Sequence, residues 1–131
     1  MNHNFQFRDP LARVRGLGSA KSGVSHWRWQ RLTALALVPL TIWFLLIFLH
    51  LVNSQFMGAI EIVGTPINSA LLILYTIALF WHTQLGLQVV IEDYVHTRWL
   101  ETTLQIVVKF LCIFLAMASI IAILRISFIN I

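Results

Sequence analysis

The chain has 131 residues, of which 59% are hydrophobic and 11% charged, against about 25% charged in an ordinary soluble domain. A soluble monomer this small cannot hide so much apolar surface, and a mean hydropathy of +0.83 excludes a disordered chain as well. The net charge of +4 comes mostly from the N-terminal end, beside long apolar runs, which argues against a nucleic-acid binder; the lone Cys112 excludes an internal disulfide. What remains is a small integral membrane protein.

In chain order, residues 1–31 form a cationic leader. Arg8, Arg13, Arg15, Lys21, Arg28 and Arg31 are interleaved with Gly16, Gly18, Ser19, Ser22, Gly23 and Ser25. The leader has no apolar periodicity and reads as irregular until a partner or lipid headgroups order it. The first span covers about residues 32–52, since about 20 helical residues cross about 30 Å of hydrocarbon. It is too long for a signal peptide and no A-x-A pattern follows it, so it is read as retained. Pro39 is expected to kink it.

The loop Asn53–Ile67 holds no Lys or Arg, only Glu61. Gly64-Thr65-Pro66 is turn chemistry, and Asn68 or Ser69 is expected to cap the next helix. The second span covers about 68–91 and the third about 104–124, each apolar on all sides. Between them the Glu92–Thr103 loop carries Arg98, with Lys109 near enough to snorkel to the same surface. Only Arg125 follows the third span. The positive-inside rule therefore places the N-terminus and the Glu92–Thr103 loop inside, with the C-terminus outside. Trp27, Trp29 and Trp99 fit an aromatic belt at the inner boundary. The expected fold is all-α and integral to the membrane, with three transmembrane helices.

Ionisable groups inside a span are costly, so each is a candidate site. His82 lies in the middle of span two, eleven residues or about 16 Å before Asp93. If Asp93 marks the inner boundary, His82 lies near the bilayer midplane. A neutral imidazole there needs a partner. A neighbouring helix is the ordinary partner, through a hydrogen bond. A haem iron is the functional one. Gly86, one turn on, shares the face of His82 and leaves room for a flat macrocycle. His50 is reckoned about 12 Å away in depth, too far to share one iron, so a second axial ligand must come from another chain. His26, Arg28 and Arg31 are either positive-inside anchors or a clamp for anionic groups such as haem propionates. Asp93 and Tyr94 stand where span two leaves the membrane. There a phenol can donate to a quinone carbonyl and a carboxylate can pass protons. The plain alternative is an interfacial Tyr beside a solvated acid.

Two segments carry a resemblance. His26-Trp27-Arg28-Trp29-Gln30-Arg31-Leu32-Thr33-Ala34 resembles the entry to the first helix of the small hydrophobic membrane anchor of succinate dehydrogenase, in its alphaproteobacterial and mitochondrial branch. His82 through Tyr94, with Gly86 at the fourth position on and Asp93-Tyr94 at its end, resembles that anchor's second-helix signature. The resemblance implies that His82 is one axial ligand of a haem b whose other ligand is a His of the larger anchor subunit. It implies Arg31, and His26 beside it, near the haem propionates. It implies Tyr94 and Asp93 in a ubiquinone site shared with the iron–sulfur subunit. Some members carry a His six residues before the matching Arg; here that position is Ser25, and His26 is its neighbour.

On this reading the chain is a non-catalytic subunit of succinate:ubiquinone oxidoreductase. Electrons come from a flavoprotein subunit through the iron–sulfur subunit. Two other readings are a haem-free structural adaptor and a fumarate reductase anchor. The leader shows no clear amphipathic transit helix, which points to a bacterial inner membrane, with the mitochondrial inner membrane the alternative.

Overall fold

A computed structural model of the chain describes residues 21–129. Four helices make up almost all of it: α1 (Lys21–Asn53), α2 (Phe56–Gly64), α3 (Pro66–Tyr94) and α4 (Arg98–Ile129). The three long helices each have the length and apolar composition to cross a membrane. An odd number of spans places the two ends of this segment on opposite sides.

The helices outrun the expected spans. α1 begins at Lys21, so residues 21–31 are helical and not an irregular lead-in; residues 1–20 lie outside the described residues. The Glu92–Thr103 loop shrinks to Val95-His96-Thr97, because α3 runs on to Tyr94 and α4 starts at Arg98. α1 is continuous through Pro39.

The order of packing is a row. α3 lies in the middle, with α1 on one side and α4 on the other. α1 and α4 do not touch among the described residues, while the short α2 meets all three. The α1 seam is legible as a seven-residue repeat. Thr33, Leu40 and Ile47 are buried, and His26, Gln30, Leu37 and Phe44 are half-buried between and before them. On the same seam Phe44 stacks on Tyr75 of α3, with ring centres 4.7 Å apart. A row buries only its seams. Leu35 is 72% exposed and Phe114 69%, so both wide faces need lipid or further helices against them.

The α2–α3 corner differs from expectation. Thr65 holds the cap position of α3 without a side-chain cap bond, and Pro66 occupies the first turn, where its missing N–H costs nothing. Asn68 and Ser69 do not cap α3. Asn68 Nδ2 donates to the Ile62 carbonyl at 2.7 Å, and Ser69 Oγ to the Val63 carbonyl at 2.6 Å. They satisfy acceptors that the end of α2 leaves open. Ser69 is 5% exposed. Ser69→Ala leaves the half-buried Val63 carbonyl without this donor, at a cost of about 1 kcal/mol. A lower melting temperature of the detergent-solubilised complex is the expected reading; an unchanged one would show that water replaces the hydroxyl.

Candidate functional site

His82 sits on α3 where that helix faces α1. Its Nδ1 is 3.0 Å from Thr33 Oγ1, a contact 49 residues apart in sequence. Thr33 is only 7% exposed. Next to it, Trp29 and Trp81 stack with ring centres 5.0 Å apart and planes at 22°. One turn on, a Cβ built on Gly86 would lie 3.6 Å from Gln30 Nε2. The side of Gly86 expected to admit a macrocycle is thus met by the Gln30 amide. Gln30 Oε1 and His26 Nε2 are both buried without a hydrogen-bond partner among the described residues.

The Thr33–His82 contact resets the depth reckoning. Arg31 precedes Thr33 by two residues, so it lies within about 3 Å of rise of the level of His82, not a full half-bilayer below it. It points elsewhere, however, about 160° around α1 from Thr33. Its guanidinium lies over the Trp27 ring, 4.1 Å from the centroid. Arg31 lines an open 650 Å³ groove with Ser25, Arg28 and Leu35. Ser25 therefore shares a groove with Arg31. His26 instead faces α3, about 140° around the helix from Arg31, so the structure does not bring His26 and Arg31 together. His50 is 17 residues beyond Thr33, about 25 Å along α1, twice the expected separation from His82.

Asp93 and Tyr94 end α3 on the same side as Arg28, about 16 Å along the helix from His82. Asp93 is exposed and Tyr94 is 80% exposed. The polar contacts at this end belong to other residues. Gln88 Nε2 donates to Glu92 Oε1 at 2.9 Å, and Gln105 Nε2 reaches Glu92 and Glu101 at 3.4 and 3.5 Å. Only the Gln105–Glu92 bond joins α4 to α3, the other two lying within one helix each, and none of them engages the Asp93 carboxylate or the Tyr94 phenol. Lys109, expected to snorkel, lines a 260 Å³ pocket with Gln84, Gln88 and Gln105.

Residues 6–121 match the family described as the succinate dehydrogenase/fumarate reductase transmembrane subunit. The chain belongs to that family. A succinate dehydrogenase hydrophobic membrane anchor subunit from Rickettsia bellii is 40% identical over 119 residues, 91% of this chain and 95% of its own length. Its counterpart from Rickettsia conorii is 33% identical over 90% of this chain and 94% of its own. A succinate dehydrogenase membrane anchor subunit from Reclinomonas americana is 33% identical over 58% of this chain and 66% of its own. No solved structure matches significantly.

The protein is a membrane anchor subunit of succinate dehydrogenase, multi-pass in the bacterial inner membrane, and it serves catalytic subunits on other chains. Within the anchor, no group of three or more His, Cys, Asp or Glu converges among the described residues. His82 is therefore a single candidate ligand among the described residues. The fit is favourable on one point of chemistry: a hydrogen bond holds one ring nitrogen of His82, and the other has no partner among the described residues. A helix bond and metal ligation, alternatives on the sequence alone, are compatible in this geometry. An imidazole has two nitrogens, and the anchor uses only one of them for the helix bond. Thr33 and Gln30 are the residues that reasoning from motifs missed. The seven-residue spacing of Thr33, Leu40 and Ile47 is the signal that places Thr33 on the seam.

Proposed function

We propose that this anchor supplies one axial ligand, His82, to a b-type haem shared with the larger anchor subunit, and one wall of a ubiquinone-reduction site through Tyr94 and Asp93. The observation that carries the proposal is the state of His82: mid-span on the central helix, pinned on Nδ1 by Thr33, and unpartnered on its other nitrogen among the described residues. Membership of the family is consistent with haem in general. When bound, the haem supplies a one-electron redox centre within the membrane.

The remaining roles belong to the chain's own groups. Arg31, at the level of His82, offers a cation to a propionate on the groove side of α1. His26, on the other side, is placed for packing against α3. The Tyr94 hydroxyl donates to a quinone carbonyl, and the Asp93 carboxylate holds a neighbouring cation or relays a proton. The end bearing Arg28, Asp93 and Tyr94 faces the cytoplasm, where the iron–sulfur and flavoprotein subunits dock. Electrons from succinate then arrive at the side of the membrane where Tyr94 is exposed.

The test is the purified complex itself. One b-type haem per complex and succinate-driven reduction of ubiquinone are expected. A haem-free complex with full quinone activity would leave the anchor as a structural adaptor.

A further inference from the structure

We infer that Thr33 is the positioning residue for His82: it fixes the imidazole tautomer that leaves Nε2 free to bind iron, a role that rests on reading His82 as an axial ligand. Counting protons identifies the donor. Thr33 Oγ1 lies 2.8 Å from the Trp29 carbonyl and 3.1 Å from the Gln30 carbonyl. A carbonyl oxygen carries no proton, and two oxygens at 2.8 Å need one between them. The single hydroxyl proton of Thr33 is therefore held within its own helix. What Oγ1 presents to His82 is a lone pair. At 3.0 Å, Nδ1 must then be the donor.

A neutral imidazole with its proton on Nδ1 has its lone pair on Nε2, at the opposite edge of the ring. The other tautomer would set two lone pairs against each other, or force the hydroxyl off the carbonyl. The imidazolium would satisfy Oγ1 but has no lone pair for a metal, and mid-span it carries an uncompensated charge. Burial of Thr33 keeps water from competing for the contact. The same bond fixes the ring plane and would make Nε2 a stronger electron donor to a metal, as hydrogen bonds to the far nitrogen of a metal-binding His do. A stronger donor favours the ferric iron.

The test uses the complete complex with Thr33→Val, Thr33→Ser and His82→Leu. Valine keeps the shape and removes the acceptor. In Thr33→Val, haem affinity is expected to fall about 10- to 100-fold. The haem midpoint potential is expected to move positive, and the low-temperature EPR signal of the ferric haem to shift as the ring loses its fixed orientation. Thr33→Ser is expected to restore all three. If Thr33→Val does not assemble, Thr33→Ala removes the acceptor without bulk and is read in the same way. Wild-type affinity, potential and EPR signal in Thr33→Val, with the haem signal lost in His82→Leu, would overturn the role of Thr33 and leave the ligand assignment standing. A serine variant that behaves like valine would overturn it too, by reducing the effect to packing. An unchanged haem spectrum in His82→Leu would overturn the ligand assignment, and the role of Thr33 with it.

Discussion

Tyr94→Phe is expected to cut succinate:ubiquinone reductase activity about 5- to 150-fold, the rate equivalent of losing a hydrogen bond worth about 1–3 kcal/mol to a substrate carbonyl. The ring of Tyr94 is 80% exposed at the end of α3, so removing its hydroxyl disturbs no packing. Succinate oxidation by a water-soluble acceptor, which bypasses the membrane site, is expected to stay at the wild-type rate. That split separates a quinone contact from an assembly defect, which would lower both rates together. Wild-type rates in both assays would remove Tyr94 from the site. Asp93→Asn is the companion variant. It keeps the shape of an exposed side chain and removes the charge, so a loss confined to the quinone assay would place the carboxylate beside Tyr94 in function as it is in sequence.

His82→Leu is expected to abolish the b-type haem while leaving the subunit folded. Leucine is at home in an apolar helix of this kind. The change also strands no donor. With the imidazole gone, the Thr33 hydroxyl keeps its bond to the Trp29 carbonyl at 2.8 Å. The neighbouring Trp29–Trp81 stack, 5.0 Å between centres, does not depend on the imidazole. Loss of haem with the partner subunits retained is therefore the outcome that the geometry favours. Loss of the whole complex would show instead that His82 holds the helices together.

The spans were legible because composition alone decides them: three runs long enough for hydrocarbon leave no other solution at this length. Their ends were not. The Gly, Ser and Arg residues before position 32 carry no helical periodicity, yet α1 starts at Lys21, because Trp29 and Gln30 have Trp81 and Gly86 of α3 to pack against. With a span that starts at residue 32, Arg31 falls at a membrane boundary and His82 far above it. The Thr33–His82 contact puts them on one level. The helix α2 was hidden by the turn residues that flank it. Asn68 and Ser69 looked like caps because the motif gives the residue type but not the acceptor.

The site divides in the same way. His82, Asp93 and Tyr94 were legible as candidates, polar groups that an apolar helix has no reason to carry. Thr33 was not, since a threonine in a helix can satisfy itself on its own backbone. Which way it faces is a property of the seam. That Arg31 and His26 face different sides of α1 follows from helix geometry: five residues turn the two side chains about 140° apart.

Whether His82 is an axial haem ligand can be read from a dithionite-reduced minus oxidised optical spectrum of the purified complex, wild type beside His82→Leu. A reduced α-band of b-type haem is expected in the wild type and its loss or displacement in the variant. The same band in both samples, at the same position and intensity, would contradict it.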